Sequence, residues 1–255
     1  MLLNDAYIFD VDGTLTAPRL PMDEEFCYLF ENFCEQESVY LATGSDRKKV
    51  EEQIPRKILY SCMGVFTCMG NELWVNDEII YSRKLNLPAD VISWLYDKLS
   101  ESKYPRHKVG SNNFEYRAGM LNFSIPGRDI TLDQRNEYNE WDKIYQERNS
   151  ICNKFNSLFQ KYNLEACVGG QISIDIQEKG KDKSQIYYYL SNYNKKIFFG
   201  DKCSPGGNDF ELAKLCEVKF NVDNWEETCN ILKSLVIPSS YEKRESIYSG
   251  KRSDI

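Results

Sequence analysis

The sequence has a single histidine, His107, which almost excludes a histidine-based triad or a zinc site that needs several imidazoles. It has no apolar run of bilayer length, and Met-Leu-Leu-Asn-Asp at the start reaches an acidic residue at once, with no basic region followed by a long apolar stretch. A cytoplasmic protein without a membrane partner is therefore expected. An excess of basic charge is missing too: the formal net charge is −7, which argues against nucleic-acid partners, since these rely on surplus Lys and Arg. An anionic small substrate would need a locally basic pocket on an acidic protein. No two of the nine cysteines form a Cys-x-x-Cys arrangement, and their scatter and odd number point to reduced, mostly buried thiols rather than a disulfide or metal framework.

The chain does carry two apolar strands that end in acids. Residues 6–11 run into Asp10-Val11-Asp12-Gly13-Thr14, and the strand at 196–199 runs into Gly200-Asp201, followed by Gly206-Gly207-Asn208-Asp209. Strands that deliver carboxylates to their C-terminal ends, with glycines that let the backbone come close, describe a Mg²⁺ and phosphate site in an open α/β sheet. Asp10 and Asp12 are two apart, so their side chains emerge on the same side, one to attack phosphorus and the other to handle a proton. Asp10, the main-chain carbonyl of Asp12 and Asp201 are the candidate Mg²⁺ ligands, a sufficient protein contribution for a cation that keeps several waters. Thr43-Gly44-Ser45 offers hydroxyl and backbone donors for phosphate oxygens, or else a helix cap. Lys183 is placed to neutralise charge on the transferring group, with Lys181 as a competitor that spacing does not eliminate.

Periodicity places these motifs. Strand, helix, strand, helix alternate over 6–53, with an apolar helical stripe at Phe26, Cys27, Leu29, Phe30 and Phe33 and a cap for the helix 47–53 from Ser45 or Asp46. This alternation is the signature of a parallel sheet. The pattern then changes to a helix over 87–99, strands at 114–117 and 120–124, a long helical stretch over 133–162, and strand again over 166–176 with a Gly169-Gly170 interruption. From Lys181 the first alternation resumes. The expected organisation is a core of residues 1–80 plus 179–235, an inserted α+β cap over 81–178, and a polar tail over 236–255.

In order, Asp-x-Asp-Gly-Thr, the Thr at the second strand, the Lys, and Gly-Asp followed by Gly-Gly-Asn-Asp resemble the four motifs of the haloacid dehalogenase superfamily of phosphotransferases. More specifically, Asp10 to Arg19, Arg117-Ala-Gly-Met-Leu-Asn-Phe-Ser124, Gly127-Arg128 and Gly169-Gly-Gln-Ile-Ser173-Ile-Asp175 are similar to the eukaryotic-type phosphomannomutases. The resemblance spans roughly 6–235 and implies an α/β fold: a Rossmann-like parallel-sheet core of the haloacid dehalogenase type with an inserted C2B-type cap. It implies Asp10 as the phosphorylated nucleophile and Asp12 as general acid and base, with Lys183 and Thr43 assisting. Arg19, Arg117, Arg128 and Arg135, together with Ser45, Ser173 and Asp175, then bind a hexose phosphate. Mg²⁺ and a hexose 1,6-bisphosphate activator, and a homodimer formed through the cap, also follow from the resemblance. The chain carries Ala42-Thr43-Gly44-Ser45-Asp46 where the mutases usually have Gly-Gly-Ser-Asp, and Met69-Gly70-Asn71-Glu72 where they have a Glu-Asn-Gly turn. Two activities stay open: a mutase exchanging mannose 6-phosphate and mannose 1-phosphate, and a Mg²⁺-dependent sugar phosphatase on the same scaffold.

Overall fold

The computed structural model describes residues 4–105 and 110–235. His107 and the polar tail 236–255 lie outside the described residues. In chain order the elements are β1 (Ala6–Phe9), α1 (Glu24–Gln36), β2 (Ser38–Ala42), α2 (Arg47–Gln53), α3 (Arg56–Ser61), β3 (Gly64–Thr67), β4 (Glu72–Val75) and β5 (Glu78–Ser82). There follow α4 (Ala89–Glu101), β6 (Phe114–Arg117), β7 (Met120–Ser124), α5 (Leu132–Tyr145), α6 (Glu147–Leu158), β8 (Leu164–Val168) and β9 (Ser173–Glu178). The chain closes with α7 (Gln185–Tyr189), β10 (Lys196–Gly200), α8 (Phe210–Leu215), β11 (Val218–Asn221) and α9 (Trp225–Leu235). Among the described residues no helix is long and apolar enough to cross a membrane.

Contacts divide the chain into two units. The first gathers the chain up to Leu41, Val50–Met63 and the chain from Asn192 onward. Its strands pair in parallel, β10 between β11 and β1, and β1 between β10 and β2, as the alternation predicts. Such strands are buried on both faces and so read as unbroken apolar runs, and Phe9 and Phe199 stack at 4.5 Å between ring centroids. The predicted stripe buries α1, and Asp23 caps it by accepting from the amides of Glu25 and Phe26 at 3.0 and 3.1 Å, a contact of about 1 kcal/mol. Because the strands are parallel, Asp10 and Asp201 leave from the same end of this sheet, with Phe9 opposite Phe199 and the Asp10 amide donating to the Phe199 carbonyl at 2.9 Å.

The second unit comprises Ala42–Lys49 and Gly64–Ser191. Within it the Gln185 amide donates to the Met69 carbonyl at 2.8 Å and Tyr189 meets Phe66 edge-on at 5.3 Å, so 181–190 packs with the β3–β5 ladder. The unit also holds an antiparallel sheet of order β6-β7-β9-β8. Alternate residues of that sheet (Leu121, Phe123, Leu164, Ala166, Ile174 and Ile176) share a core with Val91 and Leu95 of α4, Tyr138 of α5 and Phe155 of α6. The opposite face carries Glu115, Arg117, Asn122, Ser173 and Asp175.

Two local expectations are corrected. The helical stretch over 133–162 breaks at Gln146, which adopts φ 53°, because the Asp142 side chain caps the next helix by accepting from the Arg148 amide at 2.9 Å. No Gly or Pro announces that break. The strand over 166–176 is a hairpin, β8 and β9 paired antiparallel on either side of Gly169-Gly170. The nine cysteines are all free, and six of them are buried, as expected for reduced thiols.

Candidate active site

In the first unit, β1 ends at Phe9 and the next residue, Asp10, is buried at 3 % exposure. Gly13 follows with φ +91°, and a Cβ there would lie inside the Asp201 carboxylate, so only glycine lets this loop pass so close to the end of β10. The carboxylate oxygens of Asp10, Asp201 and Asp209 lie within 4.8 Å of one another. Asp209 closes the second acidic motif in the sequence, and the structure brings it into the cluster, where its Oδ2 also accepts from the Lys202 amide at 3.1 Å. Three hard, anionic oxygens on one point fit a divalent cation with an oxygen preference, with coordination positions left for water and phosphate. Lys202, whose side chain is more than half exposed, approaches Asp201 at 3.4 Å, a contact that solvent screens.

Asp12 is oriented differently. Its Oδ1 accepts two hydrogen bonds, from the Arg19 amide at 2.8 Å and from Gln53 Nε2 at 2.9 Å. Arg19 adopts φ +65° to aim that amide, and its residue is otherwise exposed. Sequence reasoning singles out the Arg19 side chain; the structure shows its main chain at work on Asp12. Gln53 carries no signal at all, because a glutamine at the end of a polar helix looks like surface.

In the second unit, the Thr43 hydroxyl is buried and accepts from the Ser45 amide at 3.0 Å, while Asp46, not Ser45, caps α2 by accepting from the Lys49 amide. The loop is held from the side by main-chain bonds, Thr43 to Phe66 and Cys68 to Ser45, both at 2.9 Å. Lys183 has no exposed surface, whereas Lys181 is partly exposed. An ammonium buried to that degree is kept only beside anionic or carbonyl partners.

The polar face of the four-stranded sheet collects several of the residues that the sequence singles out. Glu115 binds Arg117 at 2.8 Å and Arg128 at 2.5 Å, so one carboxylate holds two guanidinium groups. Asn122, directly opposite Glu115 and Asp175 in the register, accepts from Arg128 at 2.7 Å and donates to Asp175 at 2.5 Å. Arg135 reaches the same knot by donating to the Arg128 carbonyl at 2.5 Å. Ser173 stands two residues before Asp175 on β9, and the Gly169 main chain passes so near that an added Cβ would sit 2.7 Å from the Ser173 hydroxyl. Loss of hydration pushes the Asp175 carboxyl above its ordinary value, against the opposing pull of Asn122 and the two arginines. Burial pushes Glu115 up as well, but the Arg117 and Arg128 contacts more than reverse it and leave it below the usual carboxylate value. The structure thus brings Arg117, Arg128, Arg135 and Asp175 into one network and adds Glu115 and Asn122 to it.

Comparison with known proteins agrees with this geometry. The family model for eukaryotic phosphomannomutase matches residues 27–238. Phosphomannomutase from Dendrobium officinale is 31 % identical over 80 % of this chain and 83 % of its own length, and that from Glycine max is 31 % identical over 90 % and 95 %. Among solved structures, a haloacid dehalogenase-like hydrolase from Bacteroides thetaiotaomicron superposes with a TM-score of 0.59 at 13 % identity, over 91 % of this chain and all of that one. The IMP-bound, N-terminally truncated IMP-nucleotidase of Plasmodium falciparum gives 0.61 at 16 % identity, over 91 % and 68 %. Identities this low establish the shared fold: a parallel-sheet α/β core with an inserted α+β segment. With a match over most of its length to one family and relatives of that family above three-tenths identity, the chain belongs to the eukaryotic phosphomannomutases.

Proposed function

We propose that this chain interconverts mannose 6-phosphate and mannose 1-phosphate through a phosphorylated Asp10 and a hexose 1,6-bisphosphate. The observation that carries the chemistry is the gathering of carboxylate oxygens of Asp10, Asp201 and Asp209 within 4.8 Å of one another, with the Asp12 side chain, two residues along the chain from Asp10, held by Gln53. Family membership carries the choice of substrate.

In the first half-reaction an Asp10 carboxylate oxygen attacks one phosphorus of the bisphosphate. The bond from phosphorus to the sugar oxygen breaks, and that oxygen takes its proton from Asp12. In the second, once the monophosphate product has left, Asp12 takes the proton of the free hydroxyl of an incoming hexose monophosphate as that oxygen attacks the phosphorus on Asp10; the bond to Asp10 breaks and a hexose bisphosphate is formed again. The carboxylate and the protonated Asp12 are thereby restored. Asp10, Asp201 and Asp209, with the Asp12 carbonyl, would hold Mg²⁺, which supplies charge neutralisation between an anionic nucleophile and an anionic phosphate. Lys183 is assigned the remaining charge on the transferring group, and the Thr43 hydroxyl with the Ser45 region its oxygens.

Residues 81–178 act as the substrate-binding cap. Arg117, Arg128 and Arg135 take the phosphate that is not reacting, Arg19 contributes from the core loop, and Ser173 and Asp175 take sugar hydroxyls. The Glu115–Asn122 knot supports this assignment, because it fixes guanidinium groups that would otherwise lose side-chain freedom on binding.

Incubation with mannose 1-phosphate, Mg²⁺ and a catalytic amount of hexose 1,6-bisphosphate, followed by ³¹P NMR, tests the reading. The 6-phosphate is expected to accumulate, to stop on addition of a chelator and to resume with Mg²⁺. Inorganic phosphate without 6-phosphate would convert the assignment to a sugar phosphatase.

A further inference from the structure

We infer that Gln53 is a positioning residue for the acid–base carboxylate: it locks Asp12 through one oxygen and leaves the other to exchange a proton with the sugar. The inference deepens the function proposed above and rests on the role given there to Asp12.

The geometry is one of mutual restraint. Gln53 Nε2 donates to Asp12 Oδ1 at 2.9 Å and to Thr16 Oγ1 at 3.1 Å, so both of its amide hydrogens are used. Rotation of the amide would lose both bonds and bring its carbonyl oxygen against a carboxylate. Thr16 is itself fixed, being 1 % exposed, with its hydroxyl directed to the Val11 carbonyl at 3.4 Å and its own carbonyl accepting from Gly13. The Gln53 main chain is tied to the same region, since its carbonyl accepts from the Met22 amide at 2.8 Å. Side chain and backbone of one residue therefore fasten the end of α2 to the segment that carries Asp12.

Two further facts separate this from ordinary burial of a polar residue. Gln53 is only 3 % exposed, and its Oε1 accepts no hydrogen bond among the described residues. An orphaned buried carbonyl costs about 1–3 kcal/mol, which an aliphatic side chain of similar size would avoid. The amide is thus retained at a cost in stability, and what it does with its donor half is hold Asp12. On the other side, Asp12 Oδ1 accepts from both Arg19 and Gln53, while Oδ2 accepts from no described residue. With Oδ1 held by two donors, Oδ2 is the oxygen left open to a substrate hydroxyl. Proton transfer by a placed carboxylate contributes about 10²–10⁴ in rate, and depends on hydrogen-bond reach to the reacting oxygen.

The test is Gln53→Leu, which keeps the volume and removes the donor, alongside Gln53→Glu, which sets a second carboxylate against Asp12. Turnover of mannose 1-phosphate per folded molecule, with folded protein measured by circular dichroism melting, is expected to fall about tenfold or more in Gln53→Leu and further in Gln53→Glu. KM is expected to stay within about twofold, because no substrate-binding group is touched. Unchanged turnover per folded molecule, or a loss confined to KM, would overturn the inference. Should Gln53→Leu fail to fold, Thr16→Val removes the second acceptor of Nε2 and is expected to lower turnover about threefold by the same route; no change would count against it. Should the wild type turn over neither to 6-phosphate nor to inorganic phosphate, the proposed function fails, and the crystal structure of Gln53→Leu decides the inference separately: Asp12 leaving its side-chain rotamer supports it, Asp12 unmoved rejects it.

Discussion

The two units treat charge in opposite ways. At the end of the parallel sheet, oxygens of three carboxylates lie within 4.8 Å of one another, with Lys202 at 3.4 Å from Asp201. On the cap sheet, two arginines, a glutamate, an asparagine and an aspartate are joined into a network whose members already hydrogen-bond one another. Carboxylate oxygens gathered so closely are a ready set of ligands for a divalent cation. A pre-paired network holds its guanidinium groups in place, which suits the phosphate-binding role proposed for it above. One region thus offers carboxylate oxygens to a cation, and the other offers donors and acceptors that hold one another in place.

Asp10→Asn would break the first half of this comparison most completely. Loss of the nucleophile is expected to lower turnover by at least about 10⁴-fold and to abolish the covalent phosphoryl mass increment seen by mass spectrometry of the enzyme treated with hexose bisphosphate. Next in size is Asp142→Ala, which attacks the frame of the cap. Asp142 and Arg148 are each 5 % exposed and paired at 2.8 Å, and Arg148 also donates to the Gly170 carbonyl at 2.7 Å, so removal of the acid strands a buried guanidinium. Stability is expected to drop by about 3–5 kcal/mol in chemical denaturation. Arg128→Lys sharpens the contrast on the recognition side. A point charge does not reproduce contacts to both Glu115 and Asn122, and KM for the sugar phosphate is expected to rise about tenfold with a smaller change in kcat.

The smallest effect concerns pH. The Asp175 carboxyl is raised by loss of hydration, so its favourable contribution is fully present below the unfolded carboxylate value and is lost as pH rises through the folded one. Asp175→Asn removes that loss while keeping an oxygen to accept from Asn122. Its melting temperature is therefore expected to gain on the wild type as pH rises from about 3.5 to 7, by a few degrees at most. A gain in the opposite direction would show that Arg117 and Arg128 outweigh desolvation at this site.

Legibility in the sequence follows the same division. β1, β2, β6, β7 and β10 are readable because parallel-sheet strands are continuous apolar runs and the cap strands alternate, and the stripe on α1 is readable from its helical period. The Asp10-x-Asp12-Gly13 loop is readable because two acids and a glycine directly after an apolar run mark a strand end that turns sharply and gathers negative charge. The break at Gln146 and the hairpin around Gly169-Gly170 escape such a reading. The first is caused by the Asp142 side chain and an Arg148 amide rather than by a helix breaker, and the second needs the pairing partner to show that two strands are present.

By itself, then, the sequence determined which strand ends carry acid, which residue types line the cap, and the phosphoryl chemistry these imply, since each depends on short spacings along the chain. Only the tertiary structure decided that Asp209 joins Asp10 and Asp201, that Glu115 and Asn122 bind the cap arginines together, and that Gln53 reaches back 41 positions to hold Asp12. Such contacts join segments whose partners leave no mark on local composition or periodicity. A side chain's hydrogen bond to a distant residue is fixed by how sheets and helices pack, and no spacing along the chain encodes it.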